Sequence, residues 1–70
     1  MPEATITYTR TKDGHTVWRN VDGKIRPIGE VLHRGDRHWA VTLDGADFGY
    51  YPSMSQAGER LNRAYEEQIG

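Results

Sequence analysis

The sequence predicts an α+β domain: an antiparallel β-meander of about five strands packed on one C-terminal α-helix. Three observations predict it. Asp13-Gly14, Asp22-Gly23, Gly35-Asp36 and Asp44-Gly45 each lie between runs of strand-like residues, and such dipeptides tolerate the positive φ angles of tight hairpins. The last third of the chain changes from a period of two to a helical period. Seventy residues leave room for one core.

The turns place strands at roughly 4–11, 15–21, 24–34, 37–43 and 46–51. In the first, Thr5, Thr7, Thr9 and Thr11 alternate with Ile6, Tyr8 and Arg10. A threonine ladder favours a strand and tolerates water. It serves either as a wet sheet face or as a row of hydroxyls for phosphates or a partner strand. In the second, Trp18 comes near Thr9, either as an anchor among the threonines or as core. In the third, Pro27 calls for an edge or a break, and Gly29 supports a bulge there.

Two registers remain open at the Gly35-Asp36 hairpin. A two-residue turn pairs Leu32 with Trp39 and sets Glu30 opposite Val41; a bulge near Gly29 would move Glu30 away. At Asp44-Gly45 the same rule pairs Leu43 with Ala46, Val41 with Phe48 and Trp39 with Tyr50. All six are apolar or aromatic, so that face is expected to meet the helix. The opposite face then shows His38, Ala40, Thr42 and Asp44 against Tyr51, Gly49 and Asp47. Ala40 opposite Gly49 makes a bare patch, open to a phosphate chain or a partner strand, or else covered by another strand of the domain.

Pro52 ends the strands, and Ser53-x-x-Gln56 reads as a capping box. Met54, Ala57, Leu61, Ala64, Tyr65 and Gln68 then share one helix face, with Gly58 on the same side. A helical glycine costs about 1 kcal/mol, which close seating on the sheet would justify. Glu59, Arg63 and Glu67 form a solvated outer stripe. The expected core is Trp39, Val41, Leu43, Phe48, Tyr50, Leu61 and Tyr65. The whole reads as a single domain, 1–70, with an N-terminal hairpin region (1–27) and a three-stranded sheet plus helix (28–70).

Composition narrows the function. The absence of cysteine removes disulfides and thiolate metal sites and suits a cytoplasmic setting. No apolar run suggests a signal peptide or a membrane span. The net charge of −1 divides unevenly, +2 over residues 1–43 and −3 over 44–70. His33 and His38 can face each other across a turn, as a two-ligand site or a pH-sensitive pair, with no third ligand evident. No paired-carboxylate, nucleophile–base or phosphate-loop pattern is present. We therefore expect a non-enzymatic binding domain with no cofactor, no metal, no small-molecule substrate and no membrane contact.

Residues 28–65 carry a further pattern: Ile28-Gly29-Glu30-Val31, Trp39-Ala40-Val41-Thr42-Leu43, Gly45, Phe48-Gly49-Tyr50-Tyr51, Ser53, and Ala57-Gly58 with Leu61, Ala64 and Tyr65. It resembles the three-strand-plus-helix DNA-binding domain of plant ethylene-response factors, and is similar to the arm-site-binding N-terminal domain of phage tyrosine integrases. The resemblance implies a sheet laid in the DNA major groove, with Ala40, Thr42, Asp44, Asp47 and Tyr50 or Tyr51 over much of the contact surface. Asp44 and Asp47 have the wrong charge for phosphate; Arg34, Arg37 and His38 on the neighbouring turn could still serve. The expected partner is thus DNA, and the setting a phage or mobile-element accessory protein. The alternative is a protein-interaction module that binds a host protein, with a homodimer through the first strand also open. The candidate binding residues are Arg10, Lys12, Trp18, Arg19, Arg34, Arg37, His38 and Thr42.

Overall fold

A computed structural model describes residues 4–69; Glu3, counted in the charge balance, lies outside them. Five strands form one antiparallel sheet in chain order: β1 (Thr5–Arg10), β2 (Gly14–Val21), β3 (Lys24–Arg34), β4 (Arg37–Thr42) and β5 (Asp47–Tyr51). The helix α1 (Met54–Ile69) covers one face. The expected fold class and element order hold, and no strand end moves by more than one residue.

The turns divide by their chemistry. Asp22 and Gly23 both adopt positive φ, 54° and 80°, as a type I′ hairpin demands. Gly14 departs from expectation. It is a residue of β2, where a β-carbon would lie 2.0 Å from the Val31 carbonyl oxygen, so glycine serves close approach to β3 rather than a turn. The β4–β5 connection is wider than two residues: the Thr42 N–H donates to the Ala46 carbonyl at 2.9 Å and the Gly45 N–H to the Thr42 carbonyl at 3.1 Å.

The registers explain which side chains face the helix. Between β3 and β4, Leu32 meets Trp39 and Glu30 meets Val41 without a bulge. The bulge lies on the other side of β3. Val17 pairs with Gly29 but Trp18 with Pro27, leaving Ile28 as the extra, buried residue. Trp18 stands opposite Thr7 rather than Thr9. Between β4 and β5, Trp39 meets Tyr50 as expected, but Val41 meets Asp47 instead of Phe48. The extra residue in β5 is absorbed at Phe48-Gly49, where Gly49 has φ 87°. That slip turns Phe48 toward the core and under the Arg60 guanidinium, 4.4 Å from its ring centroid.

The main correction concerns the two sheet faces, which are exchanged. The core is Val17, Ile28, Val31, Ala40, Ala57 and Leu61, with Phe48, Tyr51, Met54 and Tyr65 packed around it. Ala40 is wholly buried, so α1 covers the expected bare patch. Trp39, Val41 and Tyr50 stand on the other face, and Leu43 lies in the β4–β5 loop at 60% exposure. The physical reason is the close seating of α1. A β-carbon at Gly58 would lie 2.2 Å from Tyr8 Oη, and one at Gly29 3.0 Å from a Leu61 methyl. Glycine is what these two approaches admit, so Gly29 lies under Leu61 and Gly58 against Tyr8, with Ala40 buried in the same cluster, while Trp39 and Tyr50 stand on the opposite face. Glu30 lies exposed on that same face.

Ser53 Oγ accepts the Gln56 N–H at 3.2 Å, one half of the expected capping box; among the described residues the Gln56 side chain makes no return bond. Arg19 reaches α1 from β2. Its Nε donates to Asn62 Oδ1 at 2.8 Å, its terminal nitrogen meets Glu66 at 3.4 Å, and its guanidinium lies 5.0 Å from the Tyr65 ring centroid. Among the described residues no helix is long and apolar enough to cross a membrane.

Candidate functional site

The meander places the β1–β2 and β3–β4 turns side by side at one end of the sheet. The His33 N–H donates to the Asp13 carbonyl at 3.1 Å and ties the two tips together. Arg10 and Lys12 arrive from the first tip. Arg34 and Arg37, directly paired, arrive from the second. Four of the seven bases in residues 1–43 therefore gather at this end, against Asp13 and Asp36. Arg10, Lys12 and Arg34 line one surface depression together with His15, Leu32 and His33. Lys24 and Arg26 lie by Tyr65 in another depression beside the β2–β3 turn.

From the tips an aromatic row crosses the open face. The Arg34 guanidinium lies 5.2 Å from the Trp39 ring centroid, and Trp39 stacks on Tyr50 at 6.0 Å and 30°. Tyr50 is 51% exposed. Asp47 fixes the indole: Trp39 Nε1 donates to its carboxylate at 2.6 Å, and the Gly49 N–H does so at 2.7 Å. These bonds, the indole first, hold the Asp47 carboxyl below the ordinary carboxylate range. The aspartate orients an aromatic ring rather than opposing a ligand. Farther along, Trp18 lies on the same face between Thr7 and Pro27, its Nε1 buried without a hydrogen-bond partner. Thr5, Thr7 and Thr9 are exposed along the free edge, as expected.

The eight candidate residues thus separate. Arg34, Arg37 and Trp18 share the open face; Arg10, Lys12 and His38 join them at the tip end. Arg19 leaves the set, because α1 holds its guanidinium. Thr42 leaves it too, because its hydroxyl donates to the Asp44 carboxylate and accepts the Ala46 N–H at 2.9 Å, closing the β4–β5 loop. The Thr42 hydroxyl, ahead of the Ala46 N–H, also holds the Asp44 carboxyl low.

Trp39 and Tyr50 are the residues that sequence reasoning assigned to the core instead. The signal that places them was legible in Glu30. A two-residue Gly35-Asp36 turn sets Glu30 opposite Val41, and a carboxylate without a partner does not share a buried face. Whatever lies beside it there, Trp39 included, faces water.

Comparison with known proteins finds no matching family model, no matching curated protein and no matching solved structure.

Proposed function

We propose that this domain binds nucleic acid, DNA first among them, through the open sheet face and the basic hairpin tips, without catalysing a reaction. One observation carries the proposal: Arg34 and Arg37 stand on the same face as Trp39 and Tyr50, at the end where Arg10 and Lys12 also lie. Guanidinium and ammonium groups neutralise phosphates. Exposed aromatic rings offer stacking surface for bases. Four cationic contacts imply a slope of log affinity against log salt of about −3.6 on a duplex, at ~0.9 per phosphate, and about −2.8 on a single strand.

The test is titration of labelled duplex and single-stranded oligonucleotides at low and moderate salt. Arg34→Glu/Arg37→Glu should weaken binding across all sequences and flatten the salt dependence while the circular dichroism stays native. No saturable binding at low ionic strength would remove the proposal.

A second reading, a module that binds a host protein, has its own observation. The open face also carries Leu32 and Val41, while Ile25 and Leu43 are about 60% exposed. Aromatic and Arg side chains amid apolar area also make protein hot spots. Capture of a partner from lysate that survives nuclease treatment, lost in Tyr50→Ala but not in Arg34→Glu/Arg37→Glu, would favour it.

A further inference from the structure

The three histidines at the tip are left unused by phosphate contact through arginine and lysine. His33 and His38 face each other across β3 and β4, ring centroids 4.8 Å apart, and His15 of β2 lies 5.5 Å from His33. They form a row over three neighbouring strands on the α1 side of the sheet. Charged groups surround them: Arg10, Lys12 and Asp13 from the first tip, and Arg34, Asp36 and Arg37 from the second. Tyr51 of β5 pairs with His38; on α1, Glu59 acts on Tyr8 and Arg60 covers Phe48. Nδ1 of His15 and Nδ1 of His38 are buried and unpartnered, and among the described residues no carboxylate hydrogen-bonds to any of the three imidazoles.

We propose that His15, His33 and His38 form a proton-gated phosphate seat, which takes a phosphodiester of the bound strand as it passes over the hairpin tips. The proposal rests on the nucleic-acid reading above and adds the groups that make it depend on pH. Three imidazoliums this close repel one another and Arg10, with no carboxylate hydrogen-bonded to them. Burial first, then His33, Arg10 and His38, hold His15 below its ordinary value in the free protein. A bound phosphodiester supplies the missing anion, so the row takes up protons on binding, and affinity rises as pH falls. The sign for the free fold is opposite. A histidine with a depressed value contributes stability that is present above about pH 6.5 and lost as pH falls through the folded value.

The experiment uses the full chain in chelator-treated buffer at fixed ionic strength, with a labelled oligonucleotide titrated between about pH 7.5 and 5.5. A single histidine raised by about one unit on binding gives up to about a tenfold gain in affinity. The expected result is a gain of at least that size, flattened in both His33→Gln and His15→Gln. The imidazole resonances should titrate at higher pH with oligonucleotide present than without it. His33 is exposed, so its variant folds normally and keeps the test open if the His15 variant does not. Binding that does not vary with pH, or that varies with pH in both variants as it does in the unaltered chain, overturns the seat while the nucleic-acid reading stands. Affinity that rises with pH and requires added zinc overturns it in favour of a metal site. No binding at any pH removes both.

Discussion

Leu43 and Leu61 both fit the apolar pattern of a core, yet Leu61 is 1% exposed and Leu43 60%. The same substitution at each therefore measures which face the helix covers. Leucine to alanine removes three carbons, about 0.8 kcal/mol apiece when fully buried, or ~2.4 kcal/mol together. At Leu61 all of it applies. A cavity adds to it, because the two Leu61 methyls fill the space over Gly29, and the total comes to about 3–5 kcal/mol. At Leu43 only about two-fifths applies, ~1 kcal/mol, with no cavity. Ala40→Leu completes the set. Under α1 the added carbons overpack the core at about 1–3 kcal/mol, whereas on an open face they would cost almost nothing. A domain of 70 residues holds about 3.5–10 kcal/mol in all, and each kcal/mol moves Tm by about 4–8 °C. Urea unfolding followed by circular dichroism resolves these differences, provided the denaturant slopes agree. Equal losses at Leu43 and Leu61, with a neutral Ala40→Leu, would refute the placement of the faces.

Three further outcomes follow from individual contacts. Arg19→Ala should cost about 1–2 kcal/mol through its lost hydrogen bond to Asn62 and its packing on Tyr65. Glu66→Gln should cost under about 0.5 kcal/mol, because the Glu66 side chain is half exposed; thermal melts separate the two, and neither should change the salt slope of oligonucleotide binding. The stabilisation from the depressed Asp47 carboxyl is present at neutral pH and lost as pH falls through its lowered folded value. Trp39 fluorescence should report that transition, and Asp47→Asn should abolish it; a tryptophan signal unchanged by acid or by the substitution would show that the indole bond does not form. Finally, β1 leaves an edge to which a second copy can add antiparallel, with Thr7 at the centre. Thr7→Lys would set like charges opposite each other there, so any dimer seen by sedimentation should dissociate; a dimer that persists uses another surface.

The histidine pair shows how far the sequence reached into the candidate site. The Gly35-Asp36 turn alone brings His33 opposite His38, because a two-residue hairpin leaves one register. His15 was invisible as a third member. It comes from another hairpin, and its position depends on how β2 pairs with β3, which the bulge at Ile28 alters. The same limit hid the partners of Arg19 on α1 and of Thr42 in its own loop. A basic side chain and a hydroxyl on strands look alike in sequence whether they meet a ligand, a helix or their own turn.

Local chemistry determined the elements. Positive-φ dipeptides, alternating β-favouring residues and a capped helical period act over a few residues, and a linear chain displays all of them. The choice between the two sheet faces is of a different kind. Strand alternation defines two sets of side chains without saying which set the helix covers. Aromatic richness pointed to the wrong set, because the decisive quantity was volume: α1 seats closely where Gly29 and Ala40 lie, beside Val17, Ile28 and Val31. The size of that gap exists only once sheet and helix are packed. Glu30 carried a hint of the outward set, but the packed helix decided that Trp39 and Tyr50 face outward, and the tertiary structure alone brought the bases of two separate turns to one end.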